Sequence, residues 1–315
     1  MDMQAEPAAT QLFPANELRT GDVLLMMGEG PLSELIAWAS DSIYSHAAIV
    51  ADSGDLIEAA TAGVRRYSIA TRLTEQANHR FIDAVRMEGQ GGSALDPADS
   101  AAILAKAVSM LGIPYPVDQL ALFGAIMAVR GKWPVHPWGR LLARVALDHA
   151  LPDSTDRMVC SEVVYRAYAQ CAAVPAGRLA PVIVVGERGD APFPDIDWKA
   201  LFDEIWPLLH PQGRESLQPA RTRLNTLRSG ELHALHEDLD AVAQVSDEEL
   251  ERARQAVLGR AGLLAAGSQD GLMVHMDGDD TVVPDPNPRL VSPQDLAISP
   301  SLTRLGRLME RPSDA

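Results

Sequence analysis

Short apolar runs near the start of the chain alternate with turn residues in a pattern that predicts a small sheet. The run at 22–27 follows a Thr-Gly turn and is typical of a buried strand. Two strand-like runs, at 46–51 and 55–59, flank Asp52-Ser-Gly54, whose small turn formers favour a tight hairpin. A further strand is expected at about 79–87, where it should pair nearby. Together these runs predict an antiparallel sheet.

Helical spacing of apolar residues dominates the middle of the chain. Helices are predicted at 31–40, 97–111, 118–130, 137–149 and 158–173. The last helix follows N-cap candidates at 154–156 and carries its apolar residues on one face. Cys160 therefore falls in the first turn of that helix.

The composition changes after a predicted buried strand at 181–185. Charged stretches with helical spacing follow at roughly 197–209, 215–242 and 246–265. Residues 266–289 are rich in Asp, Gly and Pro, which predicts a loop. These features indicate an added helical region followed by a loop.

The net charge of the chain limits which classes of partner the protein is expected to bind. The 315 residues include 27 Lys and Arg against 43 Asp and Glu, which gives a formal net charge of −16. Such a surface repels phosphate backbones and anionic lipid headgroups. We therefore expect neither nucleic acid nor a bare membrane surface as a partner.

Targeting and membrane-spanning signals are not recognisable in the sequence. The first residues have no basic start and no apolar run, so no secretory signal is predicted. The longest apolar stretch, 120–129, is ten residues long, well short of the roughly 20 that a membrane-spanning helix needs. We expect a cytoplasmic protein, with signal-independent export as the alternative.

Cys160 is the first candidate for chemistry. A cysteine thiol has an ordinary pKa of about 8.5, so it is mostly protonated and unreactive at neutral pH unless its surroundings favour the thiolate. The free N–H groups and partial positive charge at a helix start favour an anion. The second cysteine, Cys171, stands eleven residues away, about 16 Å along a helix. The two cannot form a disulfide within one helix.

His46 and Glu58 are candidates for the groups that would activate this thiol. If residue 46 faces residue 60 across the hairpin, the two side chains share a sheet face, about 7–8 Å apart between backbones. If residue 46 faces residue 61 instead, Glu58 points to the opposite face and cannot orient His46. The pairing of these two side chains therefore requires a connecting loop of odd length.

Several sequence blocks occur in an order that matches one known family. The blocks are Arg19-Thr-Gly-Asp-Val-Leu24, Tyr44-Ser-His-Ala-Ala-Ile-Val50, Leu56-Ile-Glu-Ala59, Gly112-Ile-Pro-Tyr115, Val159-Cys-Ser-Glu-Val-Val-Tyr-Arg-Ala-Tyr168 and Leu290-Val-Ser-Pro-Gln-Asp-Leu296. With His before Cys, they resemble the permuted papain-like amidases and peptidases, the YiiX-like group of circularly permuted NlpC-type relatives. Pro116 departs from the pattern, since an acidic residue is common there.

The resemblance implies an α+β fold in which a small antiparallel sheet packs on helices, with an added helical region. The implied organisation is a flexible N-terminus at 1–16, a permuted papain-like catalytic domain at 17–186, an added helical region at 187–265, an acidic loop at 266–289, a segment returning to the catalytic domain at 290–306 and a tail at 307–315.

The resemblance also implies the roles of individual residues. Cys160 is the nucleophile, His46 its base and Glu58 the group that orients the base. The implied reaction cleaves amide bonds of peptides or cell-wall peptides through an acyl-enzyme, with no cofactor and no metal. Backbone N–H groups would stabilise the oxyanion, with that of Cys160 as one candidate and Tyr44 as a second.

The sequence leaves open which substrate the protein acts on and whether it is an enzyme at all. The same triad serves thioesterases, lipid-ester hydrolases and acyltransferases, so acylated molecules and peptidoglycan peptides stay open as partners. A different class of function is a catalytically inactive binding module whose added helices recruit a partner.

The remaining reactive side chains have simpler interpretations. Asp22 in the Thr-Gly-Asp turn is interpreted as structural, and Cys171 as buried and inert. His233, His236 and Asp240 have a loose metal-ligand spacing, but solvated side chains are the usual explanation in a charged helix.

Overall fold

The computed structural model of the chain combines strands, most of them in its first third, with helices that dominate its middle. It describes residues 12–60, 63–88, 94–114, 118–135, 137–150, 158–185, 189–197, 199–201, 245–260, 274–275 and 281–312. The strands are β1 (Val23–Gly28), β2 (His46–Val50), β3 (Asp55–Ala60), β4 (Gly63–Ser68), β5 (His79–Met87), β6 (Val184–Val185), β7 (Val274–His275), β8 (Thr281–Val282) and β9 (Leu302–Glu310). The helices are α1 (Pro31–Ala39), α2 (Ile69–Thr74), α3 (Pro97–Ser109), α4 (Asp118–Arg130), α5 (Pro137–His149), α6 (Cys160–Ala169), α7 (Asp247–Arg260) and α8 (Pro293–Ala297).

A six-stranded sheet in the order β4-β3-β2-β1-β5-β9 organises the fold, and its neighbouring strands are antiparallel. In the β2–β3 hairpin, Ile49 pairs with Ile57, which puts His46 in register with residue 60. Ala51 N–H donates to the carbonyl of Asp55 at 2.8 Å, leaving the odd-length loop 52–54. The structure therefore has the register that the pairing of His46 with Glu58 requires.

Both edge strands of the sheet are partly covered. At β4, the N–H of Val64 donates to the carbonyl of Ile113 at 2.9 Å, and the N–H of Gly112 donates to the carbonyl of Val64 at 2.8 Å. At β9, the N–H of Phe13 donates to the carbonyl of Arg307 at 2.7 Å. These contacts occupy backbone groups that an open edge would offer to another chain.

The sheet separates two hydrophobic clusters because successive strand residues point to opposite faces. One cluster holds Ile49 and Ile57 together with apolar residues of α6. The other holds Val50 and Leu56 together with Ile69 of α2. Helix α6 therefore covers one face of the central strands and α2 lies on the other.

Helix α7 packs against α4 and α5 on the helical side of the molecule. Nε of Arg254 donates to the carbonyl of Ala128 at 2.7 Å, and Nε of Arg140 donates to the carbonyl of Val245 at 2.7 Å. The helix predicted at 246–265 is thus present as α7. The helices predicted at 197–209 and 215–242 lie largely outside the described residues.

Two predictions for the last quarter of the chain are wrong in part. The loop predicted at 266–289 contains β7 and β8, which form a three-stranded sheet with β6, the shortened counterpart of the strand predicted at 181–185. The tail predicted at 307–315 overlaps β9, which continues to Glu310 and pairs with β5. In both places the order comes from pairing with a distant strand, which local composition does not reveal.

The flexible lead-in predicted at 1–16 is also too long. Phe13 packs against the hydrophobic cluster on the α2 side, and a 3-10 turn forms at Ala15–Glu17. Residues 1–11 lie outside the described part of the chain. Two elements, β4 and α2, had no prediction at all. The predicted α+β class, with a small antiparallel sheet packed on helices, is nevertheless confirmed.

Candidate functional site

Cys160 is the first residue of α6, as the helical pattern predicts. The amide groups of a first helical turn lack partners inside the helix and carry its partial positive charge. The residue before Cys160 is held in place because the N–H of Val159 donates to Oε2 of Glu162 at 3.2 Å. Cys160 is buried, with 2% of its surface exposed. The thiol therefore lies in a sheltered position at the start of a helix.

His46 is the first residue of β2, at the end of the sheet where α6 begins. Its Nε2 lies 3.1 Å from Oε2 of Glu58, and the side chain of Cys160 is close enough to raise the pKa of the ring. Because Glu58 occupies Nε2, the nitrogen left for the thiol is Nδ1. The structure thus brings all three predicted triad residues together.

Glu58 reaches His46 from the sheet face that α2 covers. Strand alternation puts Glu58 on the side of Leu56, whereas α6 packs on the side of Ile57. The imidazole can contact both partners because His46 stands at the end of its strand, where the sheet does not separate the two faces. The prediction that sheet and nucleophile helix pack together is correct, but it does not specify that the carboxylate comes from the opposite face.

Electrostatics favour a charged pair of imidazole and carboxylate. Burial works to lower the pKa of His46, but the charge and hydrogen bond of Cys160, followed by those of Glu58, outweigh it and raise the pKa to well above 6.5. Burial alone would raise the pKa of Glu58, yet the contacts with His46, Arg72 and Arg65 lower it to about 2. Both groups are therefore ionised at neutral pH.

Two arginines that the sequence analysis missed hold the far oxygen of Glu58. Arg65 donates to Oε1 from Nε at 3.1 Å and from Nη2 at 2.8 Å. Arg72 donates to the same oxygen from Nη2. Arg65 stands directly opposite Glu58 in the β3–β4 hairpin, so recognising β4 as a strand would have revealed it. Arg72 comes from α2, whose six residues give too short a helical pattern to detect.

His79 is a second histidine beside the site. Its Nε2 lies 3.0 Å from Nη1 of Arg72. Burial and the charge of Arg72 lower the pKa of His79 to about 4, so the ring is neutral near pH 7. A neutral ring accepts the arginine N–H at Nε2 and carries its own hydrogen on Nδ1. His79 therefore supports Arg72 rather than serving as a second base.

Tyr44, the second oxyanion candidate, is committed elsewhere. Its hydroxyl donates to Oδ2 of Asp83 at 2.7 Å, and its ring packs edge-on against Phe81. Burial and the contact with Asp83 raise the pKa of Tyr44 well above its usual value. The N–H of Tyr44 also donates to Oγ of Ser42 at 2.8 Å. Both of its donors are therefore engaged, and the structure does not support Tyr44 as an oxyanion donor.

The other residues singled out in the sequence have structural contacts or lie outside the described residues. Asp22 accepts the N–H of Arg19 at 2.7 Å and two hydrogen bonds from Arg86, in keeping with a structural role. Cys171 is buried and hydrogen-bonds the carbonyl of Tyr168 at 3.1 Å. The histidine pair at 233 and 236 falls outside the described residues.

The described ranges contain neither a metal-binding cluster nor a membrane-spanning helix. No group of three or more His, Cys, Asp or Glu side chains there is arranged so that it could hold a metal ion. None of the helices in those ranges has the length and apolar character needed to cross a bilayer.

Comparison with solved structures finds weak likeness to known proteins. The chain resembles YiiX from Escherichia coli O157:H7, which is described as a metalloprotein, at 21% sequence identity and a TM-score of 0.33. The match covers 49% of this chain and 66% of YiiX, just under two thirds of that protein's length. No protein-family model and no curated protein matches the chain. Function must therefore be argued from the geometry of the site.

Proposed function

We propose that this protein is a cysteine-nucleophile hydrolase with Cys160 as nucleophile, His46 as base and Glu58 as the group that orients the base. The observation that carries the proposal is the position of the imidazole, which has the buried carboxylate of Glu58 at 3.1 Å from Nε2 and interacts with the side chain of Cys160, which raises its pKa. A nucleophile beside a base, with a third group that orients the base, is the arrangement that covalent catalysis needs.

The reaction would proceed in two acyl transfers. The sulfur of Cys160, having passed its proton to His46, attacks the substrate carbonyl carbon and forms a C–S bond. The tetrahedral intermediate collapses as the imidazolium protonates the leaving amine, and the C–N bond breaks. Water, deprotonated by His46, then attacks the thioester and releases the carboxylic acid and the thiol. Glu58 keeps the imidazole oriented and stabilises its charged form.

The oxyanion of each intermediate needs hydrogen-bond donors, and the start of α6 can supply them. The N–H of Cys160 belongs to the first turn of that helix, where amide groups have no intrahelical acceptor. A donor on the nucleophile's own backbone stays close to the carbonyl that the nucleophile attacks. We assign this N–H as one oxyanion donor.

For the substrate we favour an amide bond in a peptide or a cell-wall peptide. An ester or thioester would pass through the same acyl-enzyme, so thioesterase, lipid-ester hydrolase and acyltransferase activities are the alternatives. These differ only in the group that leaves and the group that accepts the acyl chain.

A substrate panel tests the proposal. Peptide, ester and thioester substrates are incubated with the wild-type protein and with Cys160→Ala, and the intact protein mass is followed after rapid acid quenching. We expect turnover of at least one substrate, with a transient mass increase on Cys160 that Cys160→Ala does not show. No turnover, together with an unreactive Cys160, would favour the binding module instead.

A further inference from the structure

The two oxygens of Glu58 have different partners. Oε2 faces Nε2 of His46 at 3.1 Å, while Oε1 accepts, within the described part of the chain, from the arginines Arg65 and Arg72. A carboxylate held at one oxygen by cations cannot rotate freely, so the other oxygen keeps its direction. The contacts of Oε1, the oxygen that does not face His46, therefore set the orientation of the imidazole.

The two arginines are not equally fixed. The side chain of Arg72 is 8% exposed, against 37% for Arg65. Arg72 also donates to Glu75 at 2.8 Å and contacts Nε2 of His79 at 3.0 Å. Both guanidinium groups lie over the ring of Tyr67, at 4.6 Å for Arg65 and 4.5 Å for Arg72. Apart from that ring, Arg65 contacts Glu58 alone among the side chains of the described residues, so Arg65 is the less constrained cation.

The element that carries Arg72 is itself anchored. Ser68 caps α2 by accepting the N–H of Thr71 at 3.3 Å, and Ile69 is buried in the hydrophobic cluster on that side of the sheet. A buried guanidinium with several partners on an anchored helix is already ordered, so its bond to Glu58 costs little further conformational entropy. An exposed arginine loses conformational entropy when it forms the same bond, which makes that bond weaker.

We propose that Arg72 is the positioning residue of this site, which acts through Glu58 to hold His46 in line with Cys160. Arg65 shares the same carboxylate oxygen but contributes much less to the orientation. This inference rests on the proposed function for its catalytic meaning, although the positioning itself can be measured without turnover.

The test is a double-mutant cycle on the full chain. Arg72→Met and its matched control Arg65→Met each remove one cation from Oε1, and each is made in the wild-type and Glu58→Gln backgrounds. The readout is the titration of the His46 imidazole by NMR, with the resonance assigned by its loss in His46→Ala. Cys160 alkylation by iodoacetamide is measured on the same samples.

We expect Arg72→Met to lower the pKa of His46 by about one unit when Glu58 is present, because the carboxylate then leaves the imidazole. The same change should be absent in the Glu58→Gln background, and Arg65→Met should shift the titration by less than about a third of a unit. Equal shifts in both backgrounds, or a larger shift from Arg65→Met, would overturn the inference.

A conservative variant distinguishes a positioning role of Arg72 from a general loss of folding. Arg72→Lys keeps the cation but replaces a planar fork by a single ammonium. It should give a shift between those of wild type and Arg72→Met, and an unchanged titration would count against the positioning role. If Cys160 proves unreactive while the cycle behaves as expected, the proposed hydrolase fails and the positioning role stands.

Discussion

Glu58 and Asp83 are two buried carboxylates on the same sheet, and each is bonded by two arginines. Asp83 accepts from Nη2 of Arg304 at 2.9 Å and from Nε of Arg307 at 2.7 Å. Its third partner is the hydroxyl of Tyr44, whereas the third partner of Glu58 is the imidazole of His46. Among the side-chain partners in the described ranges, the two clusters therefore differ in the third.

That single difference separates a structural cluster from a candidate active site. A buried carboxylate paired with arginines is a common way to satisfy charge inside a protein and carries no functional message by itself. A tyrosine hydroxyl beside Asp83 ends the network. An imidazole beside Glu58 extends it to a thiol at a helix start. The third partner, not the arginine pair, is what indicates chemistry.

The largest expected effect comes from removing that third partner. We expect His46→Ala to slow alkylation of Cys160 by iodoacetamide at pH 7 by about 100-fold, because the thiol loses its base. Tyr44→Phe removes the matching partner of Asp83 and should leave the rate within about twofold of wild type. Peptide mapping by mass spectrometry gives both rates. Equal slowing in the two variants would erase the distinction between the clusters.

Removing the carboxylate charge should give the next largest effect. We expect Glu58→Gln to slow alkylation of Cys160 about 10- to 100-fold, since a charge-assisted hydrogen bond to His46 is lost. Asp83→Asn should leave that rate unchanged within about twofold. Urea unfolding of both variants should show a loss of about 2–3 kcal/mol, because each leaves one largely buried arginine, Arg72 or Arg307, without its charged partner.

The stability loss of Glu58→Gln should depend on pH. Because contacts with His46 and the arginines outweigh burial and lower the pKa of Glu58 from 4.5 to about 2, its stabilising charge is fully present above pH 4.5. It is lost as the pH falls toward 2. Wild type and Glu58→Gln should therefore converge in urea midpoint on acidification, and a constant difference down to pH 2 would contradict this assignment.

A smaller effect is expected in the titration of His46. Burial works against the charged ring, and the charge of Cys160 is the strongest influence raising the pKa of His46 above 6.5. The ring should keep its proton through neutral pH and lose it only as the pH rises further. In Cys160→Ala the NMR titration of His46 should move to lower pH, and an unmoved midpoint would show that thiol and imidazole do not interact.

The smallest effect is expected at the second cysteine. Cys171 is bonded to the carbonyl of Tyr168 and has no contact with the His46 cluster among the described residues. Cys171→Ser should therefore change substrate turnover and the alkylation rate of Cys160 by less than about twofold. A larger loss in kcat/KM, with the thermal unfolding midpoint unchanged, would assign Cys171 a part in the chemistry.

The three triad residues could be named from the sequence because the order of the sequence blocks resembles one family, and Cys160 also follows N-cap candidates and opens an amphipathic pattern. The sequence leaves two possible registers for the facing of His46 and Glu58, because a shift of one residue moves a side chain to the other face. The structure has the register that puts both on one face.

The cations around Glu58 and the closing strand leave no such signal. Arg72 lies 14 residues from Glu58 on a six-residue helix, and Arg307 reaches Asp83 across 224 residues of sequence. Such contacts depend on how distant elements pack, and β9 reads as a polar tail until its pairing with β5 is known. The arginine contacts and the last strand therefore depend on tertiary pairing, which local sequence propensity does not predict.

The central claim is that the environment of Cys160 activates it, and exposure alone makes the opposite prediction. Cys160 is 2% exposed and Cys171 is 7% exposed, so access by itself would favour labelling of Cys171. The most direct measurement is the ratio of the two alkylation rates in the wild-type protein, obtained with limiting iodoacetamide near pH 7 and peptide mass spectrometry. We predict that Cys160 is labelled at least about tenfold faster. Equal rates, or faster labelling of Cys171, would contradict the claim.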